Sequence, residues 1–93
     1  MQNFNKAMPI QVVLADDHDL VRSGIKALLA TVDGVQVIAE ARNGQELLAL
    51  LDSIKPDVVM TDISMPGMDG ITAIGEIHAR HPDVSLVTCK LLR

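Results

Sequence analysis

Tryptophan and tyrosine are absent from this 93-residue chain, and Phe4 is its single aromatic residue. Because 48% of the residues are nevertheless apolar, disorder is excluded as the default and the interior has to be built from aliphatic side chains and methionine. Cysteine is nearly missing: Cys89 alone excludes an intrachain disulfide and fits a reducing compartment. A basic excess is lacking too. Eight Lys and Arg against twelve Asp and Glu leave a formal net charge of -4, and Lys6, Arg22, Lys26, Arg42, Lys55, Arg80, Lys90 and Arg93 are scattered, so direct nucleic-acid binding has no electrostatic footprint. Met1 to Pro9 lacks the basic and apolar parts of a signal peptide. No apolar run approaches the roughly 18 residues of a membrane span, so a cytoplasmic location without membrane contact is expected. Internal repeats, low-complexity tracts and linkers are also absent. Residues 1–93 are expected to form a single small domain with little surplus stability.

What is present is an alternation of short β-rich runs and helical periods. Ile10-Gln11-Val12-Val13-Leu14-Ala15 reads as a buried strand ended by Asp16 and Asp17. Leu20, Val21, Gly24, Ile25, Leu28 and Leu29 then recur at helical spacing, which predicts an amphipathic helix over about 18–30, with Asp17 or Asp19 available to cap it. Asp33-Gly34 marks a turn before a second strand over Val35 to Ala39. Asn43 followed three residues later by Glu46 resembles a capping box, opening a helix with a Leu47, Leu48, Leu51, Ile54 stripe that ends before Pro56. Asp57 to Asp62 is the third strand. The turn-rich segment Ile63 to Gly70 leads into a helix carrying Ile71, Ile74 and Ile77, stopped by His81-Pro82 and followed by a fourth strand over Val84 to Cys89. The order β-α-β-α-β-α-β with short connections predicts an α/β fold, a parallel sheet with right-handed crossovers and helices on both faces.

In such a sheet the acids Asp16, Asp17 and Asp62 all fall at the carboxyl edge, where open α/β sheets carry their ligand sites. Converging carboxylates repel one another, and a divalent cation offsets that repulsion. Oxygen donors without histidine or cysteine at metal-ligand spacing suit Mg2+ better than zinc, and an ion with few protein ligands keeps positions open for a phosphoryl group. The blander reading, that a strand-end acid is solvated or caps a helix, is reasonable for one Asp and strained for three. Thr61 and Ser64 read as ordinary strand and loop residues, although a main-chain carbonyl near Ser64 could serve as a ligand. His18, His78 and His81 read as surface residues without a role, Met60, Met65 and Met68 as packing, and Cys89 as an inert core residue.

Leu14-Ala15-Asp16-Asp17-His18, Asp62 and Met65-Pro66-Gly67-Met68-Asp69-Gly70 together resemble the receiver domain of two-component response regulators. The resemblance spans about Ile10 to Val87. Asp16-Asp17-His18 through Val21-Arg22-Ser23-Gly24 is similar to the branch that usually carries a helix-turn-helix output domain, which is missing here. The resemblance implies a flavodoxin-like doubly wound sheet of strand order 2-1-3-4-5. It implies that Asp62 accepts a phosphoryl group from a histidine kinase or a small phosphodonor, in a phosphoacceptor that can assist its own phosphorylation and dephosphorylation rather than an enzyme. It also implies that Asp17, Asp62 and the Ser64 main-chain carbonyl ligate Mg2+, with Asp16 helping directly or through water. The family's switch hydroxyl would fall on Lys90 by counting from His81-Pro82-Asp83, or on Thr88 after a slip of two residues, and its lysine on the fifth strand has no counterpart.

Measured against that pattern the sheet is incomplete. The fourth helix, fifth strand and fifth helix are absent, so the chain is expected to be a truncated receiver with impaired signalling output. An exposed fourth strand and an uncovered first-helix stripe at Leu20, Val21, Ile25, Leu28 and Leu29 lead to the expectation of a homodimer or swapped oligomer. The alternative function is a degenerate, unphosphorylated receiver that dimerises or sequesters a partner. A magnesium phosphohydrolase of the haloacid dehalogenase kind would need an acid where Asp62-Ile63-Ser64 has serine. A flavin binder would meet Asp16 and Asp17 at its phosphate loop, and an EF-hand would need alternating acids that Asp62 to Gly70 lacks.

Overall fold

The computed structural model describes residues 9–62 and 70–89. Its elements are β1 (Ile10–Ala15), α1 (Asp19–Leu29), β2 (Val35–Ala41), α2 (Gly44–Ser53), β3 (Val58–Asp62), α3 (Gly70–Arg80) and β4 (Ser85–Cys89). The strands form one sheet in the order β2-β1-β3-β4 with every pair parallel. This is the flavodoxin-like order expected from the resemblance over the four strands present.

Differences from the sequence expectation sit at element ends and have local causes. β2 runs two residues past Ala39 because β1 keeps pairing with it as far as Ala15 opposite Ala41, after a register shift between Val12 and Val13. Asp57 precedes β3 and fastens the strand starts. Its carboxylate accepts from the Gln11 N–H at 2.8 Å, its own N–H donates to the Gln11 carbonyl, and its carbonyl accepts from Ser85. Gly34, at φ +84°, supplies the left-handed turn that an L side chain would resist.

The two helix starts differ. At α2 the Asn43 side chain accepts from the Glu46 N–H at 2.8 Å, as a capping box requires, but the Glu46 carboxylate reaches the N–H of Arg42 rather than that of Asn43. At α1 neither Asp17 nor Asp19 caps. The N-cap is His18, without a side-chain cap, because the Asp19 carboxylate is taken by Arg22 and that of Asp17 lies against the His18 ring.

Strand alternation divides the interior unequally. Val13, Ala15 and Val59 face the α2 and α3 side, where Leu47, Leu48, Leu51 and Ile77 close a buried cluster with Ala41 and Val84. Val12 and Leu14 are also buried, yet α1 on the opposite face contributes no buried residue. Leu20 and Leu28 are 85% and 70% exposed. The apolar stripe of α1 is therefore only partly covered: Val21, Ile25 and Leu29 are half-buried against the sheet side, whereas Leu20 and Leu28 face outward. Among the described residues, no helix is long and apolar enough to cross a membrane.

Candidate functional site

Parallel pairing sets Ala15 beside Thr61, so the next residues along each strand, Asp16 and Asp62, emerge together at the carboxyl edge. Both are deeply buried, at 4% and 3% exposure. They line one narrow cleft of about 10 Å3, closed by Arg22 and Ile25 from α1 and by Leu14, Met60 and Thr61 from the sheet, close to the space a single water needs. Thr61, also buried, directs its hydroxyl to the Asp62 carbonyl at 3.4 Å.

Asp16 is held through each of its polar groups. Its N–H donates to the Ala41 carbonyl at 3.0 Å, its carboxylate accepts from the His18 N–H at 2.8 Å, and its carbonyl accepts from Arg22 Nη1 at 2.7 Å. Asp17 is half-buried, with its carboxylate 3.0 Å from His18 Nδ1, which also lies 3.6 Å from Asp16. One donor atom from each of Asp16, Asp17 and His18 falls within 4.8 Å of the others. Two carboxylates at this spacing, with a third acid on the adjacent strand end, fit a hard divalent cation such as Mg2+.

Sequence reasoning placed Asp16, Asp17 and Asp62 at one edge, and they are found there. The Ser64 carbonyl and Lys90 lie outside the described residues, as do Met65 and Met68. Thr88 is exposed and pairs with Thr61, one position before the Asp62–Cys89 pair. His18, to which the sequence assigned no role, joins the acidic group. His18 itself is exposed, as the sequence predicts, whereas His81 is not a surface residue: its side chain is 13% exposed and lies 3.6 Å from Asp52.

Two residues that sequence reasoning passed over complete the site. Arg22 and Glu40 form an ion pair at 2.8 Å, Arg22 also binds Asp19 at 2.7 Å, and Lys26 reaches the second oxygen of Glu40 at 3.0 Å. The signal was available: Arg22 and Lys26 lie one turn apart on α1, and Glu40 is the penultimate residue of β2, opposite Leu14 and near the loop that holds Asp16. The hydrogen bonds from Lys26 and then Arg22 pull the Glu40 carboxyl below its ordinary 4.5, against the opposing effect of burial. The bond to Asp19, with that to Glu40, raises the Arg22 guanidinium above its ordinary value.

A carboxyl whose folded value is depressed stabilises fully above its unfolded value and loses that contribution as pH falls through the folded one. Wild-type stability is therefore expected to decline below about pH 4.5 through Glu40. Glu40→Gln should flatten that part of a urea-midpoint profile while costing less than about 1 kcal/mol at neutral pH. An identical acid limb in the variant would remove Glu40 as its source.

The response regulator receiver domain family matches residues 12–90. Response regulator GacA of Pseudomonas viridiflava is 46% identical over 78 residues, covering 84% of this chain and 36% of that protein. The isolated REC domain of RcsB from Salmonella enterica serovar Typhimurium, solved in the presence of phosphomimetic BeF3-, gives a TM-score of 0.85 at 33% identity over 91% of this chain and 64% of that one. A structure of two RcsB dimers bound to two parallel DNAs gives 0.85 and 33% over 90% of this chain and 43% of that one. The chain thus spans well under two thirds of the full regulators it matches. By family match, by identity and by fold, this chain belongs to the response regulator receiver domain family.

Proposed function

We propose that this chain is a phosphoacceptor of a phosphorelay, receiving a phosphoryl group on Asp62 from a histidine kinase or a small phosphodonor. The observation that carries this reading is the burial of Asp62, 3% exposed, in one cleft with Asp16 at the carboxyl edge of a receiver fold. The Asp16, Asp17 and Asp62 carboxylates and the Ser64 main-chain carbonyl would hold Mg2+. Bound there, the ion supplies charge stabilisation for the transferring oxygens.

In the transfer, a carboxylate oxygen of Asp62 forms a bond to phosphorus as the bond from phosphorus to the donor breaks. The departing electron pair leaves with acetate as its carboxylate, or on the phosphorylated nitrogen of a kinase imidazole whose other ring nitrogen carries a proton, so that the ring departs neutral. Strand β3 fixes the nucleophile at its last residue, and the hydrogen bonds around Asp16 keep the neighbouring acid in place. The use of a phosphomimetic with the RcsB receiver, whose fold this chain shares, supports the same chemistry here.

Intact mass after incubation with acetyl phosphate tests the reading. A phosphoryl adduct that forms with Mg2+ and not without it is expected. A folded sample that gains none under any donor concentration would overturn the proposal in favour of an unphosphorylated interaction module.

Beyond the kinase, the proposed partner is a second copy of this chain rather than nucleic acid, for which the net charge of -4 offers no attraction. Leu20 and Leu28 on α1 and Val87 on β4, 44% exposed, are the apolar surface such a copy would cover. The dimers named for RcsB support self-association. Light scattering is expected to show a mass rising with concentration, and a constant monomer mass would exclude it.

A further inference from the structure

Arg22 sits one turn into α1 with its side chain only 12% exposed, and its planar guanidinium makes three divergent bonds. Nε donates to Glu40 at 2.8 Å, Nη1 to the Asp16 carbonyl at 2.7 Å and Nη2 to Asp19 at 2.7 Å. These tie the end of β2, the loop after β1 and the first turn of α1 to one rigid group. The bond to the Asp16 carbonyl is the telling one. That carbonyl belongs to the peptide joining Asp16 to Asp17, so its direction sets where both carboxylates stand.

We infer that Arg22 is a positioning residue: its three-way bond to Asp16, Asp19 and Glu40 holds the Asp16–Asp17 peptide in the arrangement that receives a divalent cation. The inference rests on the phosphoacceptor reading, because that reading is what places Mg2+ at these acids. Glu40 has a part in it, since its second oxygen is fixed by Lys26 and it thereby anchors the guanidinium from the far side. A lysine at position 22 would keep the charge, but an ammonium offers no planar fork that reaches three acceptors at these angles.

Charge and position make opposite demands on Arg22, which renders the inference testable. As a positive charge beside the acids, Arg22 repels a second cation, so removing the charge alone should tighten Mg2+ binding. As a positioning group it favours the cation, so removing it should weaken binding. Partners that orient metal ligands typically govern affinity by about 10-fold or more.

The experiment is a Mg2+ titration of the full chain followed through the amide resonances of Asp17 and His18, with thermal unfolding recorded on each variant. For Arg22→Met, which retains the apolar stem, the Mg2+ dissociation constant is expected to rise about 10-fold. For Arg22→Lys, which retains the charge, a rise of several-fold is expected, and this variant decides the matter if Arg22→Met does not fold. Tighter binding in Arg22→Met, or wild-type binding in Arg22→Lys, would overturn the positioning role. A lower melting temperature with an unchanged Mg2+ constant would likewise overturn it, leaving a structural brace. If the wild-type chain takes up no Mg2+, the phosphoacceptor reading falls together with this one, whereas wild-type uptake with unaffected variants removes this inference alone.

Discussion

Asp62→Asn protein is expected to gain no phosphoryl adduct from acetyl phosphate and Mg2+ under conditions that load the wild-type chain, and to be the more stable protein in metal-free buffer. The first effect is all or none, because an amide oxygen is too weak a nucleophile to replace the carboxylate. The second follows from burial. Asp62 and Asp16 are 3% and 4% exposed and line one cleft, so the folded state holds two acids out of water close together. Exchanging one for an amide of the same shape removes a buried charge and should be worth about 1 kcal/mol. In a domain of this size that is a rise of roughly 4–8 °C in melting temperature. Saturating Mg2+ should then narrow or reverse the difference, since a ligand that binds only the folded state stabilises it by about 1.4 kcal/mol at ten times its dissociation constant, and the variant has lost a carboxylate ligand. A variant that loses the adduct and also loses stability in metal-free buffer would mean that the contacts of the Asp62 carboxylate outweigh its repulsion with Asp16 and that the cleft is not built for a cation.

The acids at the edge were legible because their positions follow from strand ends alone. Once β1 and β3 are recognised as neighbouring parallel strands, Ala15 opposite Thr61 brings Asp16 and Asp62 together without knowledge of any side-chain rotamer. The helices were legible for a similar reason, their apolar spacing being strong enough to place α1, α2 and α3 to within a residue or two of their observed ends. What escaped was set by side chains that act across elements. Arg22 looks from the sequence like one more cation on the solvent side of a helix, and only its reach to Glu40 on β2 makes it part of the site. The cap of α1 escaped for a related reason, since Asp19 is bound to Arg22 and is not free to turn back on the helix start. Hydrophobic period also left open how deeply each stripe is buried. Leu20 and Leu28 have the same spacing logic as Leu47 and Leu51, and the structure separates them completely.

That separation sets the second large effect. Leu47→Ala is expected to destabilise the chain by about 3 kcal/mol, because Leu47 is 0% exposed among Leu48, Leu51, Val13 and Val59, and a tightly packed site cannot close over the lost atoms. Against a total stability of about 5–15 kcal/mol, that is a substantial part of what keeps a small domain folded. In urea the midpoint should fall with little change in slope. Leu20→Ala, at a position 85% exposed on α1, should by contrast cost less than about 0.5 kcal/mol, since it removes little buried surface and alanine suits a helix better than leucine. The contrast is informative in both directions. If Leu20→Ala costs as much as Leu47→Ala, the α1 face is buried in solution, and a second copy of the chain is what buries it; the cost should then shrink on dilution, because a contribution made by association depends on protein concentration. If the Leu20→Ala cost stays small at every concentration, the stability of this receiver fold resides in the α2 and α3 side of the sheet, and α1 serves chiefly to carry Arg22 to the acidic edge.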